Sequence, residues 1–115
     1  MTWLFIDTNI VLDLLGRRQE YPAAAELFSR ADRAQLELYV SSLTIANASF
    51  ILGRQLDRLT TMRVLRDITL LVQLVDLSGK VVRLALNDDT FTDFEDALQY
   101  YSALESGSEA IITRK

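Results

Sequence analysis

The stretch Phe5-Ile6-Asp7-Thr8-Asn9 closes an apolar run with an acid and leads directly into a helical pattern. Residues 2–6 read as a short buried strand. Beyond them Ile10, Val11, Leu14 and Leu15 recur at helical spacing, and Gly16 ends the helix. An open parallel sheet binds its ligands in the crevice beyond the carboxyl ends of its strands, and Asp7 stands at that end of the first strand. A second acidic cluster, Asp93-Phe94-Glu95-Asp96, opens a helix near the other end of the chain. Brought together, the two would make a carboxylate pocket suited to a divalent metal.

The rest of the chain alternates between helix and strand. Pro22 stands where a second helix begins, with Ala24, Leu27, Phe28 and Ala31 on one face of the run from 23 to about 35. Residues 36–40 read as a strand, and Ser41-Ser42 starts an apolar helix through Leu43, Ala46, Phe50 and Ile51 that ends near Gly53. Residues 57 to about 71 form a further helix, with Met62, Leu65 and Ile68 at helical spacing. It merges into a strand over 72–77, which closes at Asp76 and the Ser78-Gly79 turn. Residues 80–87 read as a short helix, and 92–105 as another with Ala97, Leu98, Tyr101 and Leu104 inward. Residues 109–113 close the pattern as a strand through Ala110, Ile111 and Ile112. Short strands separated by helices indicate an α/β fold. We expect one three-layer α/β/α domain over residues 1–115, with a parallel four-stranded sheet in the order 3-2-1-4.

Composition restricts the chemistry. The chain has 115 residues, 50% apolar and 24% charged, as an ordinary soluble globular domain has. With no cysteine and no histidine it has no disulfide, thiol or imidazole nucleophile, histidine base or N/S zinc site. A metal would be held by oxygen, which selects magnesium, manganese or calcium. Net charge is −4, which argues against broad charge-driven nucleic-acid binding but not against an enzyme whose metal supplies the positive charge. The opening Met1-Thr2-Trp3-Leu4-Phe5-Ile6-Asp7 lacks a basic leader and reads as a strand, not a signal peptide. No apolar run approaches the ~20 residues of a membrane helix, and a cytoplasmic location is expected.

Each acid has two readings. Asp7 caps a helix or binds a metal, and local sequence does not separate the two. Asp93 and Asp96 share a helix face, and alone they read best as a capping box favoured by the helix dipole. Their combination with Asp7 changes the balance. Two unit charges ~5 Å apart repel by about 3 kcal/mol at an effective dielectric of about 20, so such a cluster calls for a cation or a proton. Asn47, in the apolar segment Leu43-Thr44-Ile45-Ala46-Asn47, is hydrogen-bonded within the fold or faces a wet cleft. Arg54 and Arg58 share a face, read as solvated; Tyr101 and Trp3 are expected in the core.

At these residues the chain resembles PIN-domain proteins, the metal-dependent ribonuclease fold that includes the toxins of VapBC-type toxin–antitoxin pairs. The resemblance is carried by FIDTNIVLDLL from Phe5, YVSSLTIANASFIL from Tyr39 and DFEDALQYYSALESGSEAIITRK from Asp93. It implies that Asp7 is the first-strand metal ligand, with Thr8 and Asn9 supporting its turn. Asp96 resembles the third acid and Asp93 its companion one turn earlier, while Thr113 matches the threonine that ends the fourth strand. Asn47 falls where many members carry a glutamate, although one branch of small PIN proteins has Ile-Ala-Asn there. The family pattern continues past Thr113-Arg114-Lys115 with a polar residue, an acid followed by phenylalanine and an edge strand. A fourth acid and a fifth strand are therefore expected to be missing.

The resemblance implies hydrolysis of RNA phosphodiesters with Mg2+ or Mn2+ held by Asp7, Asp93 and Asp96 and contacted by Asn47. It also implies an antitoxin partner, and the apolar middle helices suggest a homodimer. Two other classes remain: a PIN-like binding module without catalysis, and a phosphoacceptor receiver with Asp76 as the acceptor. A receiver wants adjacent acids after its first strand, where this chain has Thr8-Asn9.

Overall fold

The computed structural model of the protein describes residues 2–19 and 21–113. Along them run β1 (Thr2–Ile6), α1 (Thr8–Leu15), α2 (Tyr21–Asp32), β2 (Leu36–Ser41), α3 (Ser42–Leu52) and α4 (Arg58–Ile68). There follow β3 (Gln73–Val75), α5 (Gly79–Leu86), α6 (Phe94–Ser106) and β4 (Ala110–Ile112). Every strand pairing is parallel, and the order is β3-β2-β1-β4, as expected. Phe5 stands opposite Tyr39 on one side and Ile111 on the other, so β1 lies inside the sheet.

Strand alternation divides the core. Ile6, Leu38 and Val40 pack with Val11, Leu12, Phe28, Leu52 and Leu65, drawn from α1 to α4. A second cluster joins Val81 and Ala85 of α5 to Ala97 and Leu98 of α6, with Leu43 and Tyr101 against it. Phe5 is wholly buried, a burial that stabilises by about 1.5–3 kcal/mol. Asp7, Ser41, Asp57, Ser78 and Asp93 cap α1, α3, α4, α5 and α6 by accepting backbone amides. Gly107, at φ 77°, ends α6 in the left-handed conformation and turns the chain into β4.

Several expectations need correction. Trp3 is 41% exposed, because β4 pairs only with Leu4 to Ile6 and leaves Trp3 beyond its ladder. Leu104 is exposed as well: the small residues Ser102 and Ala103 occupy the buried face of α6 instead. On α3 the buried positions are Thr44, Ala48 and Leu52, while Phe50 is 69% exposed. Helix α4 stops at Ile68, where Thr69 caps it, and β3 spans only Gln73–Val75. Among the described residues no helix is long and apolar enough to cross a membrane. The expected early stop concerns Arg114, Lys115 and what would follow them, outside the described residues.

Candidate functional site

Asp7 leaves β1 in extended conformation and caps α1, its Oδ1 accepting the Ile10 amide at 3.3 Å. Its own amide donates to the Ile112 carbonyl, which fastens the end of β1 to β4. From there the chain turns down through Thr8, a buried residue. Helix α6 begins nearby with Asp93 as its cap, Oδ1 accepting the Glu95 amide at 2.9 Å. Asp7 and Asp93 are therefore both helix caps, and both acids still line a common cleft. The expected capping box is only half formed, with no bond from the Asp96 side chain back to the Asp93 amide among the described residues.

That cleft has a volume of about 450 Å³ and is walled by Asp7, Asn9, Asn47, Asp93, Glu95 and Asp96, with Gln99 also on its surface. A neighbouring cavity of about 830 Å³ shares Asp7, Asn9, Asp93 and Asp96 and extends past Tyr100 to Thr113. Acids from the two ends of the chain thus meet at the carboxyl edge of the sheet. Asp76 lines neither cavity. One expectation is only half met: among the described residues no three acids stand close enough to enclose a metal ion as they lie. The donor chemistry nevertheless fits a hard cation, because the ionisable groups facing the cleft, Arg54 apart, are all carboxylates. The Arg54 guanidinium is stacked over the Phe50 ring, 5.0 Å from its centroid.

Below the acids lies a polar network that links three elements. The Asn47 amide donates to Glu95 Oε1 at 2.9 Å, and the Thr8 hydroxyl donates to the same oxygen at 3.3 Å. Thr8 and Thr44 hydroxyls are 3.0 Å apart, and Gln99 Nε2 donates to Thr44 at 3.0 Å. Thr44 and Gln99 are buried, and Gln99 Oε1 has no partner among the described residues. A buried acceptor left without a donor costs about 1–3 kcal/mol.

Sequence reasoning foresaw Asp7, Asp93, Asp96 and Asn47 in one place and missed Glu95, Thr44, Gln99 and Arg54. A signal existed. Thr44 and Asn47 are three apart, and Glu95 and Gln99 four apart, so each pair shares one face of its helix. Two such pairs have reason to face each other.

Comparison with known proteins bears on the family and the fold. A PIN domain family model matches residues 4–115. Ribonuclease VapC1 of Aquifex aeolicus (strain VF5) is 23% identical over 117 residues, spanning 96% of this chain and 79% of that protein. VapC20 of Mycobacterium tuberculosis, a Sarcin-Ricin loop cleaving toxin, superposes with a TM-score of 0.76 at 14% identity, covering 97% of this chain and 89% of its own. VapBC2 from Rickettsia felis, bound to a DNA fragment from its promoter, gives a TM-score of 0.69 at 14% identity, over 99% and 100% of the two chains. At these identities the structural likeness shows the fold.

Proposed function

The chain belongs to the PIN domain family, and we propose that it is a metal-dependent endoribonuclease that acts in the cytoplasm as the toxin of a toxin–antitoxin pair. The observation that carries this reading is the common cleft: Asp7 from the end of β1 lines it together with Asp93 and Asp96 from the start of α6.

Asp7, Asp93 and Asp96 would hold Mg2+ or Mn2+, which when bound supplies Lewis acidity at the scissile phosphate and an activated water. The chain's own residues do the rest. The α1 cap holds one oxygen of Asp7 on a backbone amide, so that carboxylate keeps a fixed direction. Asn9 and Thr113 border the path along which the RNA backbone would run, and Asn47 contributes a neutral amide. Arg54, held over the Phe50 ring, presents a cation at the rim for a neighbouring phosphate. Without a compensating cation the carboxylates would repel a phosphodiester.

A metal-dependent ribonuclease assay tests this. Asp7→Ala and Asp96→Ala should each lower cleavage by more than about 100-fold, and equal cleavage by the parent and both variants would refute the reading. The VapBC structures among the neighbours support a small antitoxin as partner. Exposed Phe50 on α3 and Leu59 on α4 support a homodimer. The mass of the purified protein in solution, alone and with its co-expressed partner, checks both. One observation favours a second reading, a PIN-like binding module: the acids do not close on a single point. Failure of the parent to bind Mn2+ in calorimetry would select it.

A further inference from the structure

The network beneath the cleft has only one consistent direction. Glu95 Oε1, as a carboxylate oxygen, only accepts, so Thr8 gives its hydroxyl hydrogen to Glu95. Thr8 must then accept from Thr44. With the Thr44 hydrogen used, its oxygen receives Gln99 Nε2, and the same nitrogen also reaches Thr8 at 3.4 Å. The Gln99 amide is thereby turned with nitrogen toward the hydroxyls. Its Oε1 is left without a donor, although Gln99 is only 5% exposed and lines the cleft.

At the other end of the network, both bonds to the Glu95 side chain fall on Oε1. Half-buried Glu95 lines the cleft, and its Oε2 has no bonding partner among the described residues. Among the described residues no cationic side chain pairs with Glu95, and Arg54 is stacked on Phe50. A carboxylate anchored by one oxygen and open at the other, beside a buried acceptor lacking a donor, is the complement of a hydrated divalent cation. The cation takes the carboxylate oxygen, and its waters are strong donors.

We propose that Glu95 is a further cation-binding carboxylate of this cleft, aimed by Asn47 and Thr8 and supported from below by Thr44 and Gln99. The inference rests on the metal-dependent reading above and deepens it by adding an acid from the first turn of α6. Neutral Asn47 is then a positioning residue that orients a charged neighbour.

The test is calorimetric titration of the full chain with Mn2+ alone, no RNA being present. Glu95→Gln keeps an oxygen for Asn47 and Thr8 but loses the charge, and should weaken Mn2+ binding by about tenfold or more. Circular dichroism checks that the variant is folded. If it is not, Glu95→Ala is measured in its place, with the same expectation. An affinity equal to the parent's in the folded variant, while Asp96→Asn loses Mn2+, overturns this inference alone and leaves the metal-dependent reading standing. A parent that binds no Mn2+ overturns both.

Discussion

Thr44 is wholly buried in α3, and its hydroxyl is the hinge between Gln99 and Thr8. Thr44→Val preserves the shape of the side chain but removes that oxygen, so Gln99 Nε2 loses its nearer acceptor. We expect a loss of about 1–3 kcal/mol in stability, read from the midpoint of urea unfolding; an unmoved midpoint would show that the network does not stabilise the fold. Residues differ in how visible they are in the bare chain. Asp7 was legible because a strand end and a helix start meet there, a purely local event. Thr44, Glu95 and Gln99 were not, because their meaning depends on how closely α3 and α6 approach, which the spacing within either helix does not contain. Trp3 was misread for a related reason: strand propensity says nothing about where the neighbouring strand begins.

At the scale of elements, α6 is tied to the loop before it by the Tyr101 hydroxyl, which donates to Asp88. The Asp88 carboxyl lies below its ordinary value of 3.8, first because the Thr90 hydroxyl donates to it and then because Tyr101 does. A depressed carboxyl stabilises the fold above its unfolded value, and that contribution is lost as pH falls through the folded one. Tyr101 is raised above 10.0, first by the same bond to Asp88. Its contribution is complete below the unfolded value and fades as pH rises toward the folded one. Tyr101→Phe should therefore flatten both limbs, its melting temperature falling less than the parent's between about pH 6 and about pH 3. Parallel melting curves across that range would show that the bond does not couple to folding. The existence of each helix and the parallel sheet were legible from apolar periodicity, whereas the strand order was not and came with the family resemblance. The ends were less so: α4 looked longer than it is because the apolar Leu70, Leu71 and Val72 continue its pattern past Thr69.

For the molecule as a whole, a net charge of −4 is concentrated in part at one edge of the sheet, where four carboxylates share a cleft. Folding brings them together, so a cation that binds only the folded form should raise stability. At a free Mn2+ concentration about 100 times its dissociation constant the gain is about 2.7 kcal/mol. For a domain of this size that shifts the melting temperature upward by roughly 10 °C or more. Differential scanning calorimetry with and without Mn2+, reversed by a chelator, measures this. A melting temperature indifferent to the ion would count against a cation site of any composition.

The bond from the Asp7 amide to the Ile112 carbonyl, with β1 laid beside β4, has a consequence for how the protein comes into being. During translation Asp7 leaves the ribosome well before α6 and the strand that flanks β1. A nascent chain that stops short of β4 therefore carries no assembled cleft, since the strand that fastens the end of β1 is still missing.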